Sequence, residues 1–346
     1  MDGTRCQAEY ADPRRSEDPV GRVARRASEI VFSAHLIGIP FALTGRTVNT
    51  KIRIIANGGA KGMTTSEARE EFTQLVAREL PGAQVIFAEL GENVQTLVRN
   101  AIAEGATVVV AGGGDGTVNA VASVVVGTDI ILGVLPLGTL NHFAKNLGMP
   151  AEIDGALRIL AAGTTRAVDV GAVNDRIFVN NSGLGLYPDV VHSRERRHKH
   201  GAFGWTAALA ASVKALFRYR VLGIRVVVNG EQLLRRTPSV FIGNNEYTIQ
   251  GFLEPTRTRL DAGVLCLYIP HPRSRLKFIW FAVRALFGKS HPDSEFDMTL
   301  TDALTIESRH HHLRVSLDGE VTSMATPLKY SSRHSALRVI VPDHAG

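Results

Sequence analysis

Cysteine is scarce in this chain of 346 residues, which contains only Cys6 and Cys266. Two cysteines so far apart provide neither a disulfide framework nor the ligand set of a structural zinc site. We therefore expect a cytoplasmic protein. Aromatic residues are 6% of the chain, and no basic patch is interleaved with them, so no nucleic-acid partner is expected.

Long hydrophobic runs are also missing. The apolar stretch Ile30–Leu43 contains His35 and Pro40 and is short of the roughly 20 apolar residues that a transmembrane helix needs. Residues 1–50 are therefore predicted to be poorly ordered or an extra N-terminal segment, with a signal peptide or an interfacial anchor as alternatives. The net charge of +6 favours anionic partners such as nucleotide phosphates or lipid headgroups.

From Lys51 onward, short apolar runs alternate with helical segments, which predicts an α/β domain with a doubly wound, mostly parallel sheet over residues 51–172. Residues 173–346 read differently, as strands joined by turns such as Asn229-Gly230 and Asp318-Gly319. They predict an antiparallel β-rich acceptor domain with two helical inserts, Trp205–Leu222 and Leu276–Phe287.

The strongest local signal is the glycine-rich turn Gly112–Asn119, which follows an all-valine strand and opens a helix. Glycines let the backbone approach a phosphate, and the N–H groups at the start of a helix bind anions. Asp115 fits such a site if Mg²⁺ accompanies the nucleotide. No Gly-Lys-Ser/Thr follows, so this is not a Walker A loop.

Two further glycine turns follow other strands of the predicted sheet. One is Asn57–Gly62, and the other is Pro136–Asn141, in which Thr139 and Asn141 offer side-chain donors. In doubly wound sheets, ligands bind where the carboxyl ends of the strands meet. The three turns are therefore predicted to converge on one crevice.

Four segments resemble the diacylglycerol kinase catalytic family, which includes bacterial lipid kinases and is related to sphingosine and ceramide kinases and, distantly, to NAD kinases. They are GGDGTVN, PLGTLNHFAKNLGMP, DVGAVNDRIFVNNSGLGL and LDGE, in that order between Lys51 and Pro342. The first two together are specific, whereas GGDGT alone also occurs in NAD kinases.

The resemblance implies a role for each matching residue. Glu320 would accept the proton of the lipid hydroxyl, Asp318 would support it, and Asp115 would help to place Mg-ATP. The nucleotide would contact Asn57, Gly113, Gly114, Asp115, Gly116, Thr117, Val118, Asn119, Thr139 and Asn141.

The sequence departs from the family pattern at several places. The first glycine turn lacks the family's proline, and Phe87-Ala88-Glu89 lacks its nucleotide-contacting threonine. The family's Leu-Asp-Asp-Gly segment is Leu260-Asp261-Ala262-Gly263. Because Ala262 replaces a carboxylate, Asp261 is a doubtful ligand for the family's structural Mg²⁺.

The resemblance thus predicts an ATP- and Mg²⁺-dependent lipid kinase, cytoplasmic and peripherally associated with the membrane, with a homodimer possible. An NAD kinase-like enzyme and a catalytically inactive nucleotide-binding regulatory protein are the alternatives. The identity of the lipid acceptor is left open.

Overall fold

The computed structural model describes residues 51–60, 62–185, 221–248, 256–257, 259–270 and 296–343. The helices in these ranges are α1 Ser66–Glu79, α2 Val94–Ala103, α3 Asp115–Val125, α4 His142–Asn146 and α5 Ile153–Ala162. The strands of the first half are β1 Ile52–Asn57, β2 Gln84–Ala88, β3 Val108–Gly113, β4 Ile131–Pro136, β5 Thr165–Val173, β6 Arg176–Phe178 and β7 Asn181–Gly185. Those of the second half are β8 Leu222–Val228, β9 Glu231–Thr237, β10 Ser239–Asn244, β11 Tyr247–Thr248, β12 Thr256–Arg257, β13 Leu265–Pro270, β14 Phe296–Thr301, β15 Ala303–Ser308, β16 His312–Leu317, β17 Glu320–Ala325 and β18 Leu328–Ile340.

The larger sheet is mixed and has the order β2-β1-β3-β4-β18-β15-β8-β9, with β5 paired to β18 and β6 to β5. Its first four strands are parallel. Every residue of β3 is buried, as expected for a parallel strand covered on both faces. Side chains of α1, α2, α3 and α5 share one hydrophobic core with these strands.

The smaller sheet, β14-β13-β10-β7-β16-β17, is antiparallel at every pairing. Its strands share a second core with β8 and β15. One predicted hairpin turn lies in each sheet: Asn229-Gly230 joins β8 and β9 of the larger sheet, and Asp318-Gly319 joins β16 and β17 of the smaller one. Both turns have positive φ at their two central residues, which type I′ hairpin turns require. The predicted combination of a parallel-rich α/β part with an antiparallel β-rich part is confirmed.

The two parts share strands. β15 and β18 come from the predicted acceptor domain, yet they pair within the larger sheet, where β18 lies parallel to β4 at Val339 and antiparallel to β5. The predicted boundary between residues 172 and 173 stays a prediction, because such sharing defines no single dividing residue.

The starts of two helices follow from local chemistry. Thr65 caps α1, since its hydroxyl accepts a hydrogen bond from Ala68 N at 3.2 Å. α4 begins only at His142, because Asn141 has a left-handed backbone (φ 51°).

Residues 1–50, the helical insert predicted at Leu276–Phe287 and all but the end of Trp205–Leu222 lie outside the described residues; Leu222 itself begins β8. Within the described ranges, no helix is both long enough and apolar enough to cross a membrane.

Candidate active site

The glycine-rich turn between β3 and α3 presents the start of a helix to solvent. Gly114 is the N-cap, and no side chain accepts a hydrogen bond from the first turn at this position. The first N–H groups of a helix have no partner within the helix, and its dipole favours an anion there. The turn therefore leaves backbone N–H donors of the first helical turn without a side-chain partner, a geometry that suits an anion.

The second glycine turn packs directly on the first. A Cβ atom at Gly138 would overlap the Cα of Gly114 and lie 2.9 Å from its backbone nitrogen. Asn141 closes this turn: its Oδ1 accepts from Gly138 N at 3.0 Å, and its Nδ2 donates to Gly138 O at 2.8 Å. The two predicted loops thus meet, and only glycine allows backbones to come this close.

Asp115 ties the same two loops together. Its Oδ2 accepts from His142 N at 3.1 Å, and its Oδ1 accepts from Phe143 N at 3.0 Å. The carboxylate therefore satisfies N–H groups at the start of α4, where an anion is favoured. Asn180 Nδ2 donates to Oδ1 as well, at 3.2 Å.

The third glycine turn is held by a clamp that the sequence did not reveal. Arg69 makes a two-pronged ion pair with Glu89 at 2.6 and 3.1 Å, and its Nε donates to Met63 O at 2.9 Å. The hydrogen bond to Glu89 raises the pKa of Arg69, and the same bond lowers the pKa of Glu89. Glu89 follows β2 directly, in the segment that lacks the family's threonine. The ion pair therefore attaches the Asn57–Gly62 turn, which follows β1, to the end of β2.

The hairpin between β16 and β17 faces these loops from the other sheet. Asp318 Oδ1 accepts from Asn180 N at 2.7 Å and Asn181 N at 3.0 Å, and Oδ2 accepts from Val179 N at 2.8 Å and Asn119 Nδ2 at 2.7 Å. Burial raises the pKa of Asp318 to about 6 despite these four donors. Asp318 therefore fixes the hairpin to both the β6–β7 connection and α3.

Glu320 follows this turn and reaches the glycine-rich helix start. Its Oε1 would lie 2.7 Å from a Cβ atom at Gly116, so only a glycine leaves room for the carboxylate there. Both residues line a cavity of about 460 Å³, the size of a small-ligand site. The described residues that line it are Asn57, Asn93, Val94, Gln95, Gly114, Gly116, Thr117, Ala120 and Glu320.

Asn180 connects the two predicted aspartates, and sequence reasoning gave it no role. Its backbone N–H binds Asp318 and its side-chain amide binds Asp115. Its Oδ1 accepts from Arg257 Nη2 at 2.8 Å. Because a guanidinium only donates, Arg257 holds the amide oxygen on its own side and directs the NH₂ group towards Asp115.

Arg257 is buried, with 7% of its surface exposed. Its Nη1 donates to the backbone carbonyls of Val179 at 2.8 Å and Asn244 at 3.1 Å. The guanidinium carbon lies 5.5 Å from the centre of the Tyr247 ring, within the range of a cation–π contact. Nothing in the local sequence of Arg257 indicated this position, because its partners come from three distant segments.

Of the predicted site residues, Asn57, Gly114, Gly116, Thr117 and Glu320 line the cavity, whereas Gly113, Asp115, Asn119, Asn141 and Asp318 do not. Val118 is buried, and its N–H already donates to Gly114 O. Thr139 is exposed and does not line the cavity. Asp261 pairs with Arg166 at 2.8 Å and Arg259 at 3.3 Å.

These two arginines occupy both carboxylate oxygens of Asp261. Burial raises the pKa of this carboxyl, but the hydrogen bond and charge of Arg166 outweigh it, so the net shift is downward. Among the described residues, no group of three His, Cys, Asp or Glu side chains could hold a metal ion. The structural Mg²⁺ of the family therefore does not fit the residues at Asp261.

The chain matches two models of known protein families. Residues 51–173 match the diacylglycerol kinase catalytic domain, and residues 190–341 match the YegS C-terminal NAD kinase beta sandwich-like domain. Residues 51–173 belong to the diacylglycerol kinase catalytic-domain family. The family's glycine-rich segment is the turn at Gly114, and its LDGE segment is the hairpin that carries Glu320.

Several relatives and a solved structure show how far the likeness extends. A Mycobacterium tuberculosis protein named diacylglycerol kinase is 26% identical over 82% of this chain and 92% of its own length. A Pseudomonas aeruginosa protein named probable lipid kinase YegS-like is 29% identical over 84% and 94%. An uncharacterized Synechocystis protein is 24% identical over 69% of this chain, which spans 56% of that protein. The crystal structure of a Bacillus anthracis diacylglycerol kinase shares the fold, with a TM-score of 0.61 and 16% identity over 86% of this chain and 98% of its own.

Proposed function

We propose that this protein is a lipid kinase that transfers the γ-phosphoryl group of ATP, bound with Mg²⁺, to a lipid hydroxyl. One observation carries the proposal: Glu320, at the far end of the sequence, reaches Gly116 in the cavity that the glycine turns line. Phosphoryl transfer requires a phosphate cradle and a group that accepts the proton of the attacking hydroxyl. The cavity combines both.

In the proposed reaction, the acceptor oxygen forms a bond to the γ-phosphorus while the bond from that phosphorus to the bridging oxygen of ADP breaks. Glu320 takes the hydroxyl proton as its exposed carboxylate faces the cavity. Asp318 keeps the hairpin in position through its four hydrogen bonds.

The Mg²⁺ ion would neutralise charge on the transferring phosphoryl group. The residues present fit such an ion, because Asp115 Oδ2 has a single donor, His142 N, among the described residues. A second lone pair on that oxygen is therefore left for a metal-bound water, and Mg²⁺ keeps several waters when it binds with a nucleotide.

A lipid acceptor is favoured by what surrounds the carboxyl edge of the larger sheet. Leu90 follows β2 and Leu140 follows β4, and both are exposed. Exposed leucines can insert at a membrane surface, and the net charge of +6 suits anionic headgroups. We propose that the enzyme works in the cytoplasm at the membrane surface.

The test is transfer of labelled γ-phosphate from ATP, with Mg²⁺, to a panel of lipids in mixed micelles. The panel contains diacylglycerol, ceramide, a sphingoid base and phosphatidylglycerol, with NAD⁺ and a lipid-free sample alongside. Label in the organic phase supports the proposal and identifies the acceptor. Label on NAD⁺ would favour the NAD kinase-like alternative, and nucleotide binding without any transfer would favour the regulatory one.

A further inference from the structure

A second cavity lies behind the active site. It measures about 220 Å³ and is lined by the end of α4 and the segment after it, by β5, β12 and the residue that follows β18. The lining residues are Lys145, Asn146, Leu147, Gly148, Arg166, Arg257, Leu260 and Val341.

Three of these side chains are cationic, and none of the lining residues is acidic. Lys145 is exposed, and Arg257 is buried. Among the described residues, no carboxylate lies within 4 Å of Lys145 or Arg257, whereas Arg166 pairs with Asp261 at 2.8 Å. The Nε of Arg257 is buried without a hydrogen-bond partner in the described part of the chain. Buried charges are normally paired, so this wall is short of negative charge.

The charge of this cavity is opposite to the one that a divalent cation requires. The family's structural Mg²⁺ belongs beside the segment Leu260–Gly263, which borders the cavity through Leu260. Here Ala262 provides no carboxylate, and Asp261 is engaged by two arginines. Lys145 and Arg257, which have no carboxylate partner among the described residues, repel Mg²⁺ and attract an anion.

We propose that this second cavity binds a phosphate-type anion, either free phosphate or the phosphomonoester headgroup of a lipid. Lysine and arginine are the side chains that bind phosphate oxygens through charge-assisted hydrogen bonds. The cavity's volume accommodates one such group with some of its water.

Arg257 links this anion site to the candidate active site. One edge of its guanidinium holds Asn180 Oδ1, and Asn180 Nδ2 binds Asp115. An anion drawn to Arg257 would change how firmly Asn180 is held. Occupancy of the second cavity is therefore expected to alter the affinity for nucleotide, and by linkage nucleotide should alter the affinity for phosphate by the same factor.

The test measures phosphate binding by the full chain, using ³¹P NMR line broadening and calorimetry with inorganic phosphate. Lys145→Gln should weaken binding about five- to tenfold, the effect of one charge-assisted hydrogen bond at a partly exposed site. Lys145→Arg keeps the positive charge and should bind phosphate as the wild type does. Lys329→Gln, which removes one exposed lysine charge on β18 away from the cavity, is the matched control and should bind as the wild type does.

The source of the anion is distinguished with vesicles of phosphatidylcholine, with and without phosphatidic acid. Vesicle binding that is weakened by Lys145→Gln and displaced by inorganic phosphate identifies a lipid headgroup. Binding of phosphate alone, with equal vesicle binding by both proteins, identifies the free anion. Equal phosphate affinity in the wild type and Lys145→Gln, or stabilisation by Mg²⁺ that Asp261→Asn abolishes, would overturn the proposal. This test measures phosphate binding and not phosphoryl transfer. A negative result would therefore rule out the anion site without bearing on the proposed kinase activity.

Discussion

The two walls of the active-site cavity are built on different principles. The wall from the larger sheet consists of glycine turns whose backbones touch at Gly114 and Gly138, and it offers N–H groups. The wall from the smaller sheet is the β16–β17 hairpin, which offers the Glu320 carboxylate and is held in place by the four hydrogen bonds that Asp318 accepts.

This difference separates binding from transfer. A backbone cradle recognises phosphate without adding charge, and among the described residues that line the cavity there is no lysine or arginine. In the proposed reaction, the hairpin wall adds Glu320, the carboxylate that would accept the hydroxyl proton. Changes on the glycine wall should therefore act on nucleotide affinity, and changes on the hairpin wall should act on the rate of transfer.

Asp115 connects the start of α4 to Asn180, which in turn binds Asp318 of the hairpin, so its removal should have the largest effect. Asp115→Ala deletes the acceptor for His142 N, Phe143 N and Asn180 Nδ2. We expect transfer to fall by about 10³-fold or more, measured with labelled ATP. Asp129→Ala removes a fully exposed carboxylate and should retain normal activity. Near-normal rates in Asp115→Ala would refute the assignment of the active site.

Glu320→Gln should separate the two functions. The amide keeps the size of the side chain but cannot accept the hydroxyl proton, so kcat should fall by about 10²–10⁴-fold. Nucleotide affinity, measured by calorimetry, should change little. Glu307→Gln, which neutralises a partly exposed carboxylate on β15, is the control. If affinity and rate fell together, Glu320 would have a structural role instead.

Gly138→Ala should act on the glycine wall. The added methyl group overlaps Gly114 and pushes the two turns apart, which should weaken nucleotide binding about tenfold and lower the free energy of unfolding by about 1–3 kcal/mol. Gly223→Ala is the matched control, since nothing lies within 4 Å of its Cβ position. Equal nucleotide affinity in both variants would contradict the claim that the glycine wall determines nucleotide binding.

The hairpin wall should also respond to pH through Asp318. Burial raises its pKa from 3.8 to about 6, so the folded protein holds this proton more tightly than the unfolded chain does. Its stabilising contribution is present below the ordinary pKa and is lost as the pH rises through about 6. The difference is about 3 kcal/mol. Urea unfolding between about pH 4 and pH 7 should show this decline in the wild type and lack it in Asp318→Asn.

The smallest effect is expected at the exposed Arg69–Glu89 ion pair, which holds the Asn57–Gly62 turn. Arg69→Gln breaks the pair with Glu89, which should raise the KM for ATP about two- to fivefold and leave kcat unchanged, because an exposed ion pair contributes little. High salt should produce the same change in the wild type. Arg78→Gln, which breaks another exposed pair, should leave KM unaltered; a matching rise there would show that the clamp has no special role.

The glycine turns could be predicted from sequence because their signal is local. Gly112–Asn119 shows the turn, the strand before it and the helix after it within a few residues, and the rule for parallel sheets places it at the carboxyl edge. The Asp318-Gly319 hairpin was predictable for the same reason, since its turn residues determine its backbone conformation.

Positions fixed by distant partners were not predictable. Asn180 and Arg257 gain their roles from segments far away in the sequence, and neither belongs to a local pattern. The run from Leu304 to Glu320 was interpreted as continuous strand character, but residues 309–311 form a bend and divide it between the two sheets. The point at which the chain passes from one sheet to the other depends on which hydrophobic core buries each segment. The sequence pattern alone does not show this.

β18 has a consequence for how the protein is made. This 13-residue strand lies between β4 and β15 and pairs along most of its length with β5, yet the ribosome synthesises it after every other described strand. The parallel half must therefore wait, with an unpaired edge on β4, until residue 340 has left the exit tunnel. An exposed edge of that kind invites pairing with other chains, so premature termination before β18 should yield aggregates and not a smaller, working nucleotide-binding fragment.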